Sequence, residues 1–193
     1  MTQFEFIFAL YALLLGLSLV EVLSGLGRTL ELRFARDAGD TGGESFSIGW
    51  LTPLLAVFVI LDLLSFWMFS WSVQPLVKVD ARTLLGVVCF ASAYYLAARL
   101  VFPTDPERFG NLDTHYFRVC RTVLGMLIAL VFVQWAYLLS IEQVRDQIMT
   151  ATSIVLTLVL LGLMGILMVV RNQRVHAIVL VALCVRYVVV YLQ

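Results

Sequence analysis

Residues 50–73 read WLTPLLAVFVILDLLSFWMFSWSV, a run in which Asp62 is the one charged residue. An α-helix rises about 1.5 Å per residue, so roughly 20 mainly apolar residues cross a hydrocarbon core about 30 Å thick. This run is long enough to do so. Trp50 at one end, and Trp67 and Trp71 toward the other, sit where amphipathic rings settle at headgroup level.

Five other stretches meet the same criterion on either side of it, and together they predict spans over 4–26, 50–73, 84–102, 119–139, 148–170 and 175–192. The last is the shortest and contains Arg186; if it only lay in the interface, the C-terminus would fall on the other side. The four residues Arg171, Asn172, Gln173 and Arg174 between the fifth and sixth spans force an antiparallel helical hairpin. The longest connection, 27–49, is glycine-rich and charged between Asp37 and Glu44, as a solvated loop should be, and its leading part from Arg28 to Arg36 is able to prolong the first helix into water.

Composition agrees. Of 193 residues, 62% are hydrophobic and 13% charged, and the mean hydropathy is +0.97, against about 45–50% apolar and about 25% charged in soluble domains. The expected fold is an all-α membrane protein, a single domain over 1–193 built as a bundle of about six transmembrane helices. The lipid bilayer is its first partner. Thirteen basic residues balance thirteen acidic ones, so no overall basic field exists to recruit nucleic acid. Cys89, Cys120 and Cys184 are far apart and lack CxxC spacing, which reads as small buried apolar residues rather than metal ligands or disulfide partners. The opening Met-Thr-Gln-Phe-Glu has neither the basic segment nor the cleavage site of a secretory signal, so the first span is expected to be retained.

Cytoplasmic loops carry the excess of Lys and Arg. One side of the membrane receives Arg28, Arg33, Arg36, Arg99, Arg108, Arg118, Arg121, Arg171 and Arg174, while the other receives Lys78, Arg82 and Arg145. This bias places the loops 27–49, 103–118 and 171–174 in the cytoplasm and both termini outside it.

The informative residues are those that should not be in oil, since a charge near the centre of a span costs about 2.5–3.5 kcal/mol even on lenient scales. Asp62 lies roughly 18 Å, and Arg186 roughly 16 Å, from the cytoplasmic boundary when residues are counted at the helical rise. Opposite signs at one depth predict an Asp62–Arg186 pair. Glu21 sits nearer that boundary on a face with Ser18, Gly25 and Arg28; Arg99 and Arg121 are its candidate counterions, with Arg99 preferred. Gln134 adds a buried amide in the fourth span, and Thr150, Ser153 and Thr157 share a face of the fifth. Small residues, Gly86, Ala91, Ala93, Ala97 and Ala98 on the third span and Gly162 and Gly165 on the fifth, are expected to permit close helix packing.

No HExxH or HxxxH motif links His115 and His176, and there is no phosphate-binding glycine loop or GxSxG elbow. Nothing here asks for a cofactor. The third loop, from Phe102 to Arg118, reads as a proline turn at Pro103 and Pro106 with Asp113 or Thr114 capping the next helix. Its Asp113, His115 and Arg118, with Arg121 just beyond, form a candidate cytoplasmic patch of hydrogen-bonding and titratable groups.

This loop, with Phe4-Glu5-Phe6, Leu14-Leu15-Gly16-Leu17 and Leu26-Gly27-Arg28, resembles a family of small bacterial multi-pass inner-membrane proteins. The resemblance implies a bacterial inner membrane and supplies no site residue. Two functions remain open on the residues alone. One is a non-enzymatic accessory or scaffold subunit that oligomerises or joins a membrane partner. The other is a small proton- or ion-coupled transporter or channel using Asp62, Glu21 and Arg186. A membrane enzyme or sensor acting through His115 and Asp113 is a third, lesser reading.

Overall fold

A computed structural model describes residues 3–38, 47–72, 80–142, 145 and 149–192. Six long helices follow one another: α1 (Gln3–Asp37), α2 (Leu51–Ser72), α3 (Ala81–Val101), α4 (Leu112–Leu139), α5 (Ala151–Val169) and α6 (Gln173–Tyr191). All six are long and apolar enough to cross a membrane. Among the described residues the only β-type pairing is an isolated bridge between Ser47 and Asn111. The protein is therefore an all-helical, multi-pass membrane protein whose apolar helices meet lipid. Residues 39–46, most of the glycine-rich part of the first connection, as well as Val73, Lys78 and Ile148, lie outside the described residues.

The helix ends follow from local chemistry. Asp80 caps α3 by accepting the Thr83 amide at 2.7 Å, Thr150 caps α5, and Asn172 caps α6 by accepting the Arg174 amide at 2.9 Å; each satisfies a donor with no intrahelical partner. Phe102, extended just before Pro103, ends α3. After a short 3₁₀ turn, Pro106–Arg108, Asn111 caps α4 by accepting the Asp113 amide at 2.8 Å.

Two helices run beyond their apolar segments, the first along the charged stretch expected to be able to prolong it, the fourth from close to the cap expected at Asp113 or Thr114, a role that Asn111 takes. The first helix does run on through Arg28 to Arg36 and ends at Asp37. The fourth starts at Leu112, seven residues before the apolar run suggested. Its first turns bury Leu112, Tyr116 and Cys120 at helical spacing, so these turns are secured by tertiary packing although Asp113, Thr114, His115 and Arg118 among their other positions are polar.

The core runs the length of the bundle and draws on every helix, with Leu15, Phe58, Leu63, Tyr94, Tyr116, Leu124, Leu127, Met164 and Leu183 among its buried members. α2 is the most enclosed helix, and α5 the least, packing on α4 and α6. Large apolar side chains such as Leu13, Leu85, Phe132, Leu158 and Ile178 face outward. In water such a surface would aggregate; in hydrocarbon it is the expected finish. At Gly25 α1 comes so close to the end of α3 that a Cβ would lie 2.6 Å from the Phe102 Cβ. The last turns of α1, α3 and α5 and the first turns of α2, α4 and α6 gather at one end of the bundle, the basic end.

Candidate functional site

Asp62 sits in the middle of α2 and is 2% exposed. The Tyr187 hydroxyl on α6 donates to its Oδ1 at 2.5 Å, and the Tyr94 hydroxyl on α3 lies 3.1 Å from Oδ2. Tyr94 also reaches the Val59 carbonyl at 2.7 Å. Both tyrosines are buried. Three helices thus meet at one carboxyl group, and the phenols replace the water it has lost.

The expected Asp62–Arg186 pair is not formed. Arg186 Nε donates to the Leu156 carbonyl of α5 at 3.2 Å, and its guanidinium lies 5.0 Å from the centre of the Tyr187 ring. The reason is helical phase. Arg186 and Tyr187 are neighbours on α6 and point about 100° apart; Tyr187 takes the position facing α2, and Arg186 is turned toward α5. Equal depth says nothing about azimuth.

Glu21 does meet Arg99, which hydrogen-bonds its Oε1 from α3. Arg28, two turns along α1, approaches the same oxygen at 3.8 Å. Arg121 is exposed on α4 and takes no part. Two of the predicted stripe residues turn inward with Glu21: Ser18 is fully buried and bonds back to the Leu14 carbonyl at 3.0 Å, and Gly25 abuts Phe102.

The predicted loop patch is not a surface cluster. Its residues lie on the first turns of α4, where a helix sends neighbouring side chains to different faces: Asp113 and His115 turn into the bundle, while Arg118 and Arg121 face out. Asp113 accepts the Leu51 amide at the start of α2 at 3.2 Å through Oδ1, and the Gln173 side-chain amide from α6 at 2.7 Å through Oδ2. It stands at the positive end of α2 and occupies a donor that α2 cannot satisfy itself. Thr52 adds a bond to the Leu112 carbonyl at 3.1 Å. Gly49, with φ of +66°, brings the chain against the Asp113 carboxylate where a Cβ has no room. His115 Nε2 meets the Leu100 carbonyl at 3.2 Å, and Arg118 lies over the Phe109 ring at 5.6 Å.

His176 is buried on the first turn of α6. Its Nε2 lies 2.7 Å from the Val170 carbonyl, and its Nδ1 2.7 Å from the Tyr116 hydroxyl. A carbonyl only accepts, so Nε2 carries the proton; in the neutral ring Nδ1 then accepts from Tyr116. These bonds tie the starts of α2, α4 and α6 to the ends of α3 and α5, closing the basic end.

At the opposite end, α1 to α4 diverge around a cleft of about 440 Å³, with Ile7, Phe8, Val87 and Val133 on its walls. Gln134 lines it. Tyr11, Phe66 and Phe90 form its floor, with Phe66 edge-on to Phe90 at 5.0 Å and to Tyr94 at 5.7 Å between ring centres. Asp62 therefore lies beneath an aromatic layer, on the far side of Tyr94.

Of the cysteines, all expected to be buried, Cys120 is buried and Cys184 partly so, whereas Cys89 is exposed on α3. Among the described residues no three His, Cys, Asp or Glu side chains are placed to hold a metal ion. Sequence reasoning passed over Tyr94, Gln173 and the bonds of His176, and took Tyr187 only for an anchor on one face of the sixth span. The available signal was the tyrosine hydroxyls at mid-span, which are donors able to satisfy a carboxyl group without a counterion. No protein-family model, no curated protein and no solved structure matches this chain.

Proposed function

We propose that this protein is a non-enzymatic integral membrane subunit that oligomerises or serves as an accessory or scaffold to another membrane protein. The observation carrying this reading is the polar centre closed on itself: Asp62 is enclosed by Tyr94 and Tyr187 under an aromatic layer. Such groups fix helix register and rotation while leaving the outer faces to act. α5 offers the freest of these faces. A Cβ at either Gly162 or Gly165 would meet nothing within 4 Å, so this notch is open to a partner helix, and close approach at small residues is how helices associate in lipid. The nine-to-three bias of basic residues supports a cytoplasmic basic end, with both termini on the other side. The resemblance to small bacterial multi-pass proteins supports the bacterial inner membrane as the location.

The test is the mass of the full chain extracted in mild detergent and measured by native mass spectrometry. A discrete oligomer or a stoichiometric membrane partner is expected, and a monomer under all mild conditions contradicts the proposal.

One observation favours a proton- or ion-coupled transporter instead. The cleft descends to the aromatic layer just above Asp62, and Asp62 has no cationic partner within bonding distance among the described residues. That reading requires Asp62 to be reached from water. A hydrophilic carbodiimide applied to proteoliposomes would then modify Asp62, whereas the closed centre predicts no modification.

A further inference from the structure

The cleft carries an inference of its own, independent of how many copies of the chain assemble. Its polar groups are graded with depth. Asp80, Arg82 and Thr83 stand at the mouth on the first turn of α3, where a membrane-spanning helix reaches headgroup level. Gln134 lies about 7 Å from the end of α4, counted at the helical rise; Ser70 and Tyr137 add hydroxyls closer to the ends of α2 and α4, and deeper than Gln134 the lining is aliphatic or aromatic apart from the hydroxyl of Tyr11.

One face of α3 supplies the axis of the cleft. Arg82, Gly86 and Phe90 follow at i, i+4 and i+8, hence above one another: a cation at the mouth, an open space, an aromatic floor. A Cβ at Gly86 would meet nothing within 4 Å, so glycine here leaves a clear path from mouth to floor. The mouth holds both signs of charge. The Thr83 amide and hydroxyl hold the Asp80 carboxyl below the usual carboxylate range, so it stays ionised at neutral pH opposite the guanidinium of Arg82. The volume, about 440 Å³, falls within the range of roughly 300–1,000 Å³ typical of small-molecule sites.

We propose that this cleft binds one acyl chain of a zwitterionic phospholipid, with the phosphate at Arg82, the ammonium at Asp80 and a glycerol-ester carbonyl at Gln134. A guanidinium suits a phosphate in geometry as well as charge, and the carboxylate, which keeps acceptor capacity beyond the bonds it makes to Thr83, suits an ammonium. A mouth of balanced charge favours a zwitterionic head over an anionic one, and the apolar depth takes the chain.

The test uses the full chain in detergent, titrated with dioleoyl phosphatidylethanolamine and read by native mass spectrometry. The wild type should retain one lipid per chain, saturably, and should prefer it to dioleoyl phosphatidylglycerol. Gly86→Phe, at a position where the added Cβ meets nothing within 4 Å, puts a ring into the path and should weaken retention on the order of tenfold through the packing contacts the chain loses. Arg82→Gln should weaken it roughly three- to tenfold. Gly16→Phe, where a Cβ also meets nothing within 4 Å and which lies outside the cleft, serves as the control for added bulk and should behave as wild type. The proposal is overturned if no lipid is retained, if retention never saturates, if Gly86→Phe retains lipid as well as wild type does, or if Gly16→Phe loses it equally. A change in Gly86→Phe from dimer to monomer, with lipid retention unaltered, would assign the cleft to self-association and likewise overturn it.

Discussion

Asp62 is the residue at which a phenol-capped and an ion-paired bundle centre give opposite forecasts. Replacing it by alanine removes the acceptor that Tyr187 reaches at 2.5 Å. A buried hydroxyl left without a partner costs about 1–3 kcal/mol, and the small void adds about 1 kcal/mol. Tyr94 suffers less, because the Val59 carbonyl at 2.7 Å remains available to it. Asp62→Ala should thus destabilise the protein by about 2–4 kcal/mol. Asparagine can satisfy the same neighbours: its carbonyl accepts from Tyr187, and its amide donates to the Tyr94 oxygen while Tyr94 donates to Val59. Asp62→Asn should therefore cost less than about 1 kcal/mol. Tyr187→Phe, which strips one donor from the carboxyl group, belongs between them at about 1–3 kcal/mol, and the Asp62→Ala/Tyr187→Phe double mutant should show coupling on the order of 1–2 kcal/mol. Reversible unfolding in mixed micelles with increasing dodecyl sulfate measures all four. If asparagine proves as damaging as alanine, negative charge at this position is what the fold requires, Arg186 must be its partner, and the phenol-capped centre is wrong.

Other perturbations test the basic end, the helix packing and the free face. Asp113→Ala leaves the Leu51 amide and the Gln173 side chain without their acceptor and should cost about 1–3 kcal/mol, which amide hydrogen exchange would report as faster opening at the start of α2. Tyr116→Phe removes the donor to His176 Nδ1 and should cost about 1–2 kcal/mol in the same unfolding assay; no loss would mean that His176 is bonded otherwise. Gly25→Val forces a side chain against Phe102 and should cost about 1–3 kcal/mol through overpacking. Gly162→Leu should leave the monomer's stability within about 0.5 kcal/mol, because nothing lies near its Cβ, yet should reduce the oligomer mass; an unchanged oligomer would clear α5 of that role.

The spans were legible because hydrophobic length is a one-dimensional property. Residues 50–73 announce a membrane helix without reference to any neighbour, and the structure forms α2 within them. The start of α4 was legible only as a cap near Asp113, which Asn111 provides instead, and not as the buried turns that follow it. Asp113 and His115 look like loop residues until partners from α2, α6 and α3 are in place, and those partners are distant in sequence. Depth could be counted along the chain, which is why Glu21 and Arg99 were matched as well as Asp62 and Arg186. Rotation about the helix axis could not be counted in the same way. Arg99 faces α1, and the pair forms; Arg186 yields its place to Tyr187, and the pair does not. The cleft was hidden for a related reason, since Gln134, Arg82 and Gly86 belong to different spans or span ends and become neighbours only when α3 and α4 pack.

The account rests on a bundle centre that water and ions do not cross. Proton flux into proteoliposomes under an imposed potential, compared for wild type, Asp62→Asn and protein-free vesicles, addresses this directly. All three should leak at the same rate. Flux through the wild type that Asp62→Asn abolishes, with expression and fold intact, would contradict the closed centre and make Asp62 part of a conduction path.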